Sequence, residues 1–169
     1  NGTLDLRTGE LVPEQQARMS YCTQSAAVPW DPEAECPHWQ EHVRLVSARR
    51  DGTPDPSLES FLMRWAGYTL TGLVNEQKFA FLYGDGNNGK NVFVETLMKV
   101  MGTYAITGSA KLLTGMGQEH ETVIADLAGP RLVFVDETPK GRINESRVKQ
   151  LTGSSRIRAR RISKDSFEF

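Results

Sequence analysis

Gly84-Asp85-Gly86-Asn87-Asn88-Gly89-Lys90-Asn91 has glycines five apart, at 84 and 89, with a lysine directly after the second. Glycines let a backbone curl until successive N–H groups face inward, and a helix that starts there adds its positive end. Lys90 adds a full charge beside the β and γ phosphates of a nucleotide, so the eight residues Gly84, Asp85, Gly86, Asn87, Asn88, Gly89, Lys90 and Asn91 form a candidate ATP-binding loop. A glycine-rich turn that merely precedes a helix has the same letters. The context favours the phosphate loop, because an apolar run comes before it and an amphipathic segment after it. A dinucleotide fingerprint on Gly84, Gly86 and Gly89 is the weaker reading, since no acidic residue about 20 positions on serves a ribose. Asn91 departs from the usual Ser or Thr, whose hydroxyl holds Mg2+. An amide oxygen is a hard neutral ligand with a different reach.

The second group with chemical potential is Asp136-Glu137, which closes the apolar run Leu132-Val133-Phe134-Val135. Two carboxylates at a strand end are ordinarily a solvated terminus. Downstream of a phosphate loop they suit a parallel sheet that brings both strand ends together, with Asp136 on Mg2+, directly or through water, and Glu137 polarising the attacking water. Lys90 and Glu137 are then the catalytic candidates, Asn91 and Asp136 the metal candidates. Catalysis of this kind rests on positioning and electrostatics.

The third group is basic. The net charge of −1 hides an asymmetry: residues 1–139 hold 11 Lys and Arg against 18 Asp and Glu, whereas residues 140–169 hold 9 against 3. A polyanion would meet the C-terminal end. If residues 156–164 are extended, Arg156, Arg158 and Arg160 share one face and Arg161 the other. A basic edge strand that resists aggregation has the same composition.

These groups need elements to hold them. Residues 1–12 alternate around Arg7-Thr8-Gly9-Glu10 and read as a small hairpin. A helix is expected over 32–48 with Asp31 as its cap, and a second after Asp55-Pro56 with apolar residues at helical spacing. Residues 79–83 read as a strand buried on both faces, and 131–135 as another. Helices are expected from Val92 to a stop at Gly102, over 122–127 and from Asn144 to Leu151, with a strand or hairpin over 156–169. The fold class expected is α/β, a P-loop NTPase core of AAA+ type on a parallel sheet, truncated at its C-terminus. Residues 1–73 form a mainly helical pre-motor region with the hairpin, and 74–169 the first part of the ATPase core.

Composition is ordinary for a soluble globular protein, with 38% hydrophobic and 24% charged residues. No window approaches a bilayer span and no export signal opens the chain, so a cytoplasmic location, in a bacterial host cell for a phage or plasmid protein, is expected. Two cysteines, Cys22 and Cys36, are too few for a disulfide framework. Cys36, His38 and His42 invite a zinc reading, but their spacing matches no familiar module.

The order of segments resembles the primase-helicases of phages, plasmids and poxviruses, which carry a superfamily 3 helicase domain. The residues that carry the likeness are Gly67-Tyr68-Thr69-Leu70-Thr71-Gly72, Phe81-Leu82-Tyr83 with the loop through Lys90, Asp126-Leu127-Ala128-Gly129-Pro130-Arg131-Leu132-Val133, Val148-Lys149-Gln150-Leu151-Thr152-Gly153 and Ile157-Arg158-Ala159-Arg160. Asn1-Gly2-Thr3-Leu4-Asp5-Leu6 and Ala34-Glu35-Cys36-Pro37-His38-Trp39 look like that family's pre-motor region. The resemblance implies ATP and Mg2+ as cofactors, translocation on single-stranded DNA, a homo-hexameric ring and a primase domain that often accompanies the motor. It puts Arg158, Arg160, Arg161 and Lys164 toward the DNA. It also implies a polar sensor and a trans-acting arginine beyond Phe169, so the chain reads as a fragment inactive alone. Ser154-Ser155 stands where Gly-Asp is usual. Two other classes stay open, a module that holds nucleotide without turnover and a P-loop enzyme acting on a small molecule.

Overall fold

The computed structural model describes residues 2–84, 86–114, 120–136 and 142–169. By contacts the chain divides into two compact units, Asn1–Thr71 with Leu82–Tyr104, and Gly72–Phe81 with Ala105–Phe169. The phosphate-loop segment therefore packs with the helices that precede it.

In the first unit, β1 (Thr3–Asp5) and β2 (Glu10–Val12) form an antiparallel hairpin with Leu4 opposite Leu11. Its turn is tied by the Asp5 carboxylate, which accepts from the Arg7 backbone N–H at 2.9 Å and from its guanidinium at 2.8 and 3.1 Å. A short helix α1 (Glu14–Met19) follows. The helix expected from residue 32 begins later, as α2 (Pro37–Ser47). Proline disfavours helical backbone in the residue before it, so Cys36 stays outside with φ −131°, while Asp31 instead caps a local turn by accepting from Glu33 N–H at 3.0 Å. Helix α3 (Pro56–Thr71) starts where Asp55-Pro56 directs it, and the Asp55 carboxylate accepts from Leu58 N–H at 3.1 Å.

Helix α4 (Lys90–Met101) supplies the largest share of this core. Phe93, Val94, Leu97 and Met101 are buried with Val43 of α2 and with Leu62 and Ala66 of α3. Trp39 and Trp65 stack on Phe93 with centroids 5.1 and 6.2 Å away. The far end of α4 is clamped by an extended segment: Thr103 N–H donates to Ser25 O at 3.0 Å, and Ala27 N–H to Val100 O at 3.1 Å. Gly102 is left-handed there (φ 57°), and a Cβ on it would press within 2.7 Å of Ser25 O.

In the second unit, β3 (Ala105–Thr107) runs parallel to β4 (Leu132–Phe134), with Ile106 opposite Val133. Short helices α5 (Lys111–Thr114) and α6 (His120–Ala125) lie between these strands in sequence. Helix α7 (Glu145–Gly153) is capped by Asn144, whose side-chain oxygen accepts from Arg147 N–H at 3.1 Å. An antiparallel pair, β5 (Arg158–Arg160) and β6 (Ser166–Glu168), closes the chain. Ile157 and Ala159 bury one face of that hairpin against Ile124 and Ala125 of α6, with Leu151 and Phe167 packed at the margin.

Residues 79–83 differ from expectation. They belong to none of the three two-stranded sheets of the described residues, and Phe79, Phe81 and Tyr83 are 51%, 59% and 83% exposed. A central parallel strand needs ladder partners on both sides, and the partner that β4 takes is β3 instead. The AAA+ type core stays an expectation, since the described residues hold one parallel pair of three residues per strand. No helix among them is long and apolar enough to cross a membrane.

Candidate functional site

Gly84 and residues 86–89 lead into α4, which Lys90 begins. Gly89 is left-handed at φ 80°, ψ 0°, and so is Asn87 at φ 57°. Left-handed residues inside a turn swing N–H groups toward one side, which is how a backbone makes an anion-binding hollow. At Gly84, φ is 149°, a backbone conformation that favours glycine, and a Cβ there would displace the end of the Asn88 side chain. Gly89 O accepts from Phe93 N–H at 3.0 Å, which begins α4 directly beneath the loop.

Lys90 is the first residue of α4, and its ammonium turns back over the loop. It donates to Gly84 O at 3.2 Å and to Asn88 Oδ1 at 2.6 Å. Lys90 is thus tied back to both Gly84 and Asn88 of the loop. Asn91 follows on the first turn of α4 and is exposed. The donor set fits a phosphate chain: backbone N–H groups at a helix start, one ammonium and three amide side chains, with no carboxylate among the described loop residues. Asp85 lies outside the described residues.

The underside of the loop rests on α2. A Cβ added to Gly89 would come within 2.5 Å of Val46 Cγ1 and 2.9 Å of His42 Cε1. Sequence reasoning gave this pair no role in the loop. Their helical spacing fitted core packing, and no local signal ties residue 42 to residue 89.

Asp136 stands two residues beyond the end of β4 in the second unit and is exposed. The strand is seated by Gly108, whose N–H donates to Phe134 O at 2.7 Å and whose missing Cβ leaves room for Leu112 and Val133. Glu137, the other half of the acidic pair, lies outside the described residues.

The basic hairpin sorts its side chains as the alternation requires. Ala159 is 1% exposed, whereas Arg158 and Arg160 on either side face solvent. Arg158 donates to Ser166 Oγ at 2.8 and 3.2 Å, and Arg160 Nε to Lys164 O at 3.0 Å. Both guanidiniums are thus braced by neutral oxygens and neither pairs with a carboxylate among the described residues, so their charge is available to a ligand. Arg156, on the same face, is 3.8 Å from Glu168. The Arg161 guanidinium lies 5.9 Å from the centre of the Phe167 ring. Lys164 is exposed in the turn, and its backbone N–H donates to Arg161 O at 3.1 Å.

Cys22 and Cys36 are exposed free thiols. Cys36, His38 and His42 do not gather, since no group of three His, Cys, Asp or Glu suited to a metal ion occurs among the described residues.

A family model described as a family of unknown function (DUF5906) matches residues 82–169, just over half of the chain, from the phosphate loop to the basic hairpin. The chain belongs to that family. A second model, described as D5 N terminal like, matches residues 1–47, which include the β1–β2 hairpin and α2. Among curated proteins, the chain is similar to one named "Putative helicase 022R" from Frog virus 3 (isolate Goorha), at 29% identity over 123 residues. That stretch covers 68% of this chain and 13% of the viral protein, so the chain spans a small part of the relative it matches. These two likenesses are the findings on which a primase-helicase reading of the chain rests.

Proposed function

We propose that this chain is the nucleotide-binding part of an ATP-driven DNA helicase from a phage or plasmid replication primase-helicase, built on a P-loop core of AAA+ type. The observation that carries the reading is the Lys90 ammonium folded over a glycine loop at the start of α4, bonded to Gly84 O and Asn88 Oδ1. Residues 84–91 would hold the triphosphate, and Asn91 and Asp136 are the candidates for Mg2+. Bound ATP would supply the free energy of its γ-phosphate bond to movement along DNA. Glu137 would orient the attacking water. Arg158, Arg160, Arg161 and Lys164 would meet single-stranded DNA, and the likeness to a viral protein named a "Putative helicase" supports the helicase reading as a whole. The complete protein would act as a homo-hexameric ring in the cytoplasm, with a primase domain possible in the same polypeptide.

The test is steady-state ATP hydrolysis by the complete protein, with and without single-stranded DNA. Turnover stimulated by DNA and abolished in Lys90→Ala and Glu137→Gln is the expected result. Asn91 favours one other reading, a module that holds nucleotide without turning it over, because the hydroxyl that normally binds Mg2+ is replaced. Tight ATP binding with no hydrolysis in the presence of DNA would establish that module. A phosphorylated small product with indifference to DNA would mark a P-loop enzyme of another kind.

A further inference from the structure

His42 sits beneath the phosphate loop with its Nε2 atom buried and without a hydrogen-bond partner among the described residues. Buried polar atoms are nearly always paired, because an unpaired one loses its water and gains nothing in return. The ring is held in place from one side by Trp39, with centroids 6.2 Å apart and planes 29° from parallel. Trp39 in turn stacks on Phe93 of α4. On the other side, the position a Gly89 Cβ would take is 2.9 Å from His42 Cε1 and 3.6 Å from its Nε2. The orphan atom therefore faces the left-handed glycine that joins the loop to α4. A ring kept only for packing would be better served by phenylalanine, which carries no polar atom to leave unsatisfied.

We propose that His42 is a positioning residue for the phosphate loop, its buried Nε2–H donating to the second lone pair of Gly89 O, the first being taken by Phe93 N–H, when nucleotide phosphates draw the loop into its binding shape. The inference rests on the phosphate-loop reading and adds to it a contribution from the region before the loop. Helix α2 becomes the seat against which the loop sets, and the imidazole is the part of that seat able to hydrogen-bond. A polar atom held in reserve raises the free energy of the empty loop and is satisfied in the loaded one. That difference favours the loaded form by linkage.

The experiment uses the complete protein and its His42→Phe, His42→Leu and His42→Gln variants, with Lys90→Ala as the control. Melting temperature without nucleotide and the dissociation constant for Mg2+-ATP are measured for each. Phenylalanine keeps the stacking on Trp39 and removes the orphan atom, so the empty protein should melt at the same or a higher temperature. ATP binding by this variant should nevertheless weaken about tenfold, or about 1.4 kcal/mol. Leucine should weaken ATP binding likewise, and glutamine, whose amide reaches a similar position, should stay within about threefold of the parent. The inference is overturned if the phenylalanine variant binds ATP as the parent does, or if glutamine fails alongside phenylalanine in step with a fall in melting temperature. Unchanged ATP binding in Lys90→Ala would overturn the phosphate-loop reading itself. Loss in that control with an unaffected His42→Phe would overturn the His42 role alone.

Discussion

The ring of Phe93 lies 5.1 Å from that of Trp39, with the two planes 20° from parallel. Phe93 is on the first turn of the helix that Lys90 begins, and Trp39 is on the helix that supports Gly89. The aromatic pair thus fixes the depth at which the phosphate loop sits on α2. It ties core packing directly to the geometry of the candidate site.

Phe93→Ala should therefore cost about 3–5 kcal/mol of stability, the range for truncating a buried aromatic residue. The ring is 2% exposed and also stacks on Trp65, so its loss leaves a cavity with two indoles on its wall. Chemical denaturation followed by tryptophan fluorescence measures it. A loss under about 1 kcal/mol would mean that Phe93 does not organise this core.

Arg158→Ala with Arg160→Ala should weaken single-stranded DNA binding across sequences and flatten its salt dependence. Each phosphate contact with a single strand contributes about 0.7 to the slope of log affinity against log salt, so removing two should lower the slope by about 1.4. Titrations at several salt concentrations read this. An unchanged slope would reassign the two arginines to bracing Ser166 and the Lys164 carbonyl.

Asn91→Thr, which introduces the hydroxyl usual at this position, should lower the Mg2+ concentration needed for half-maximal nucleotide binding or turnover, and Asn91→Ala should raise it. Magnesium titrations of the complete protein compare the three. No difference between Ala and Asn would remove residue 91 from the metal site.

Asp5 gives a pH signature apart from the site. Its side-chain bond from Arg7, followed by the bond from the Arg7 backbone N–H, holds the carboxyl at about 2 against an ordinary 3.8. A depressed carboxyl stabilises the fold fully above its ordinary value, and that contribution fades as pH falls through about 2. NMR titration of the β1–β2 hairpin should show Asp5 titrating near 2, and Arg7→Ala should return it toward 3.8. A normal titration in the parent protein would contradict the turn geometry.

Local chemistry alone makes several elements legible in the sequence. Asp55-Pro56 predicts a helix start because one side chain accepts an orphan N–H and the next residue needs none to donate. Gly102 predicts the end of α4, and the alternation Ile157-Arg158-Ala159-Arg160 predicts which residues turn inward. The glycines and lysine of the loop were legible for the same reason, since curling backbone and fixed charge are properties of consecutive residues. Helix α2 starts at Pro37 and not at residue 32 because the steric restriction that Pro37 places on Cys36 overrides the periodicity of residues 32–36.

What the sequence by itself determined is therefore the short-range part: a glycine-rich turn leading into the helix that Lys90 begins, the helix boundaries set by caps and breakers, and a basic strand with Arg158 and Arg160 turned outward around Ala159. Tertiary structure decided the rest. It paired β4 with Ala105–Thr107 instead of residues 79–83, and it set His42 and Val46 beneath Gly89, which is 47 and 43 residues away in the chain respectively. Strand partners and close approaches between distant residues depend on the packing of whole elements, and a one-dimensional pattern does not encode which surfaces finally meet.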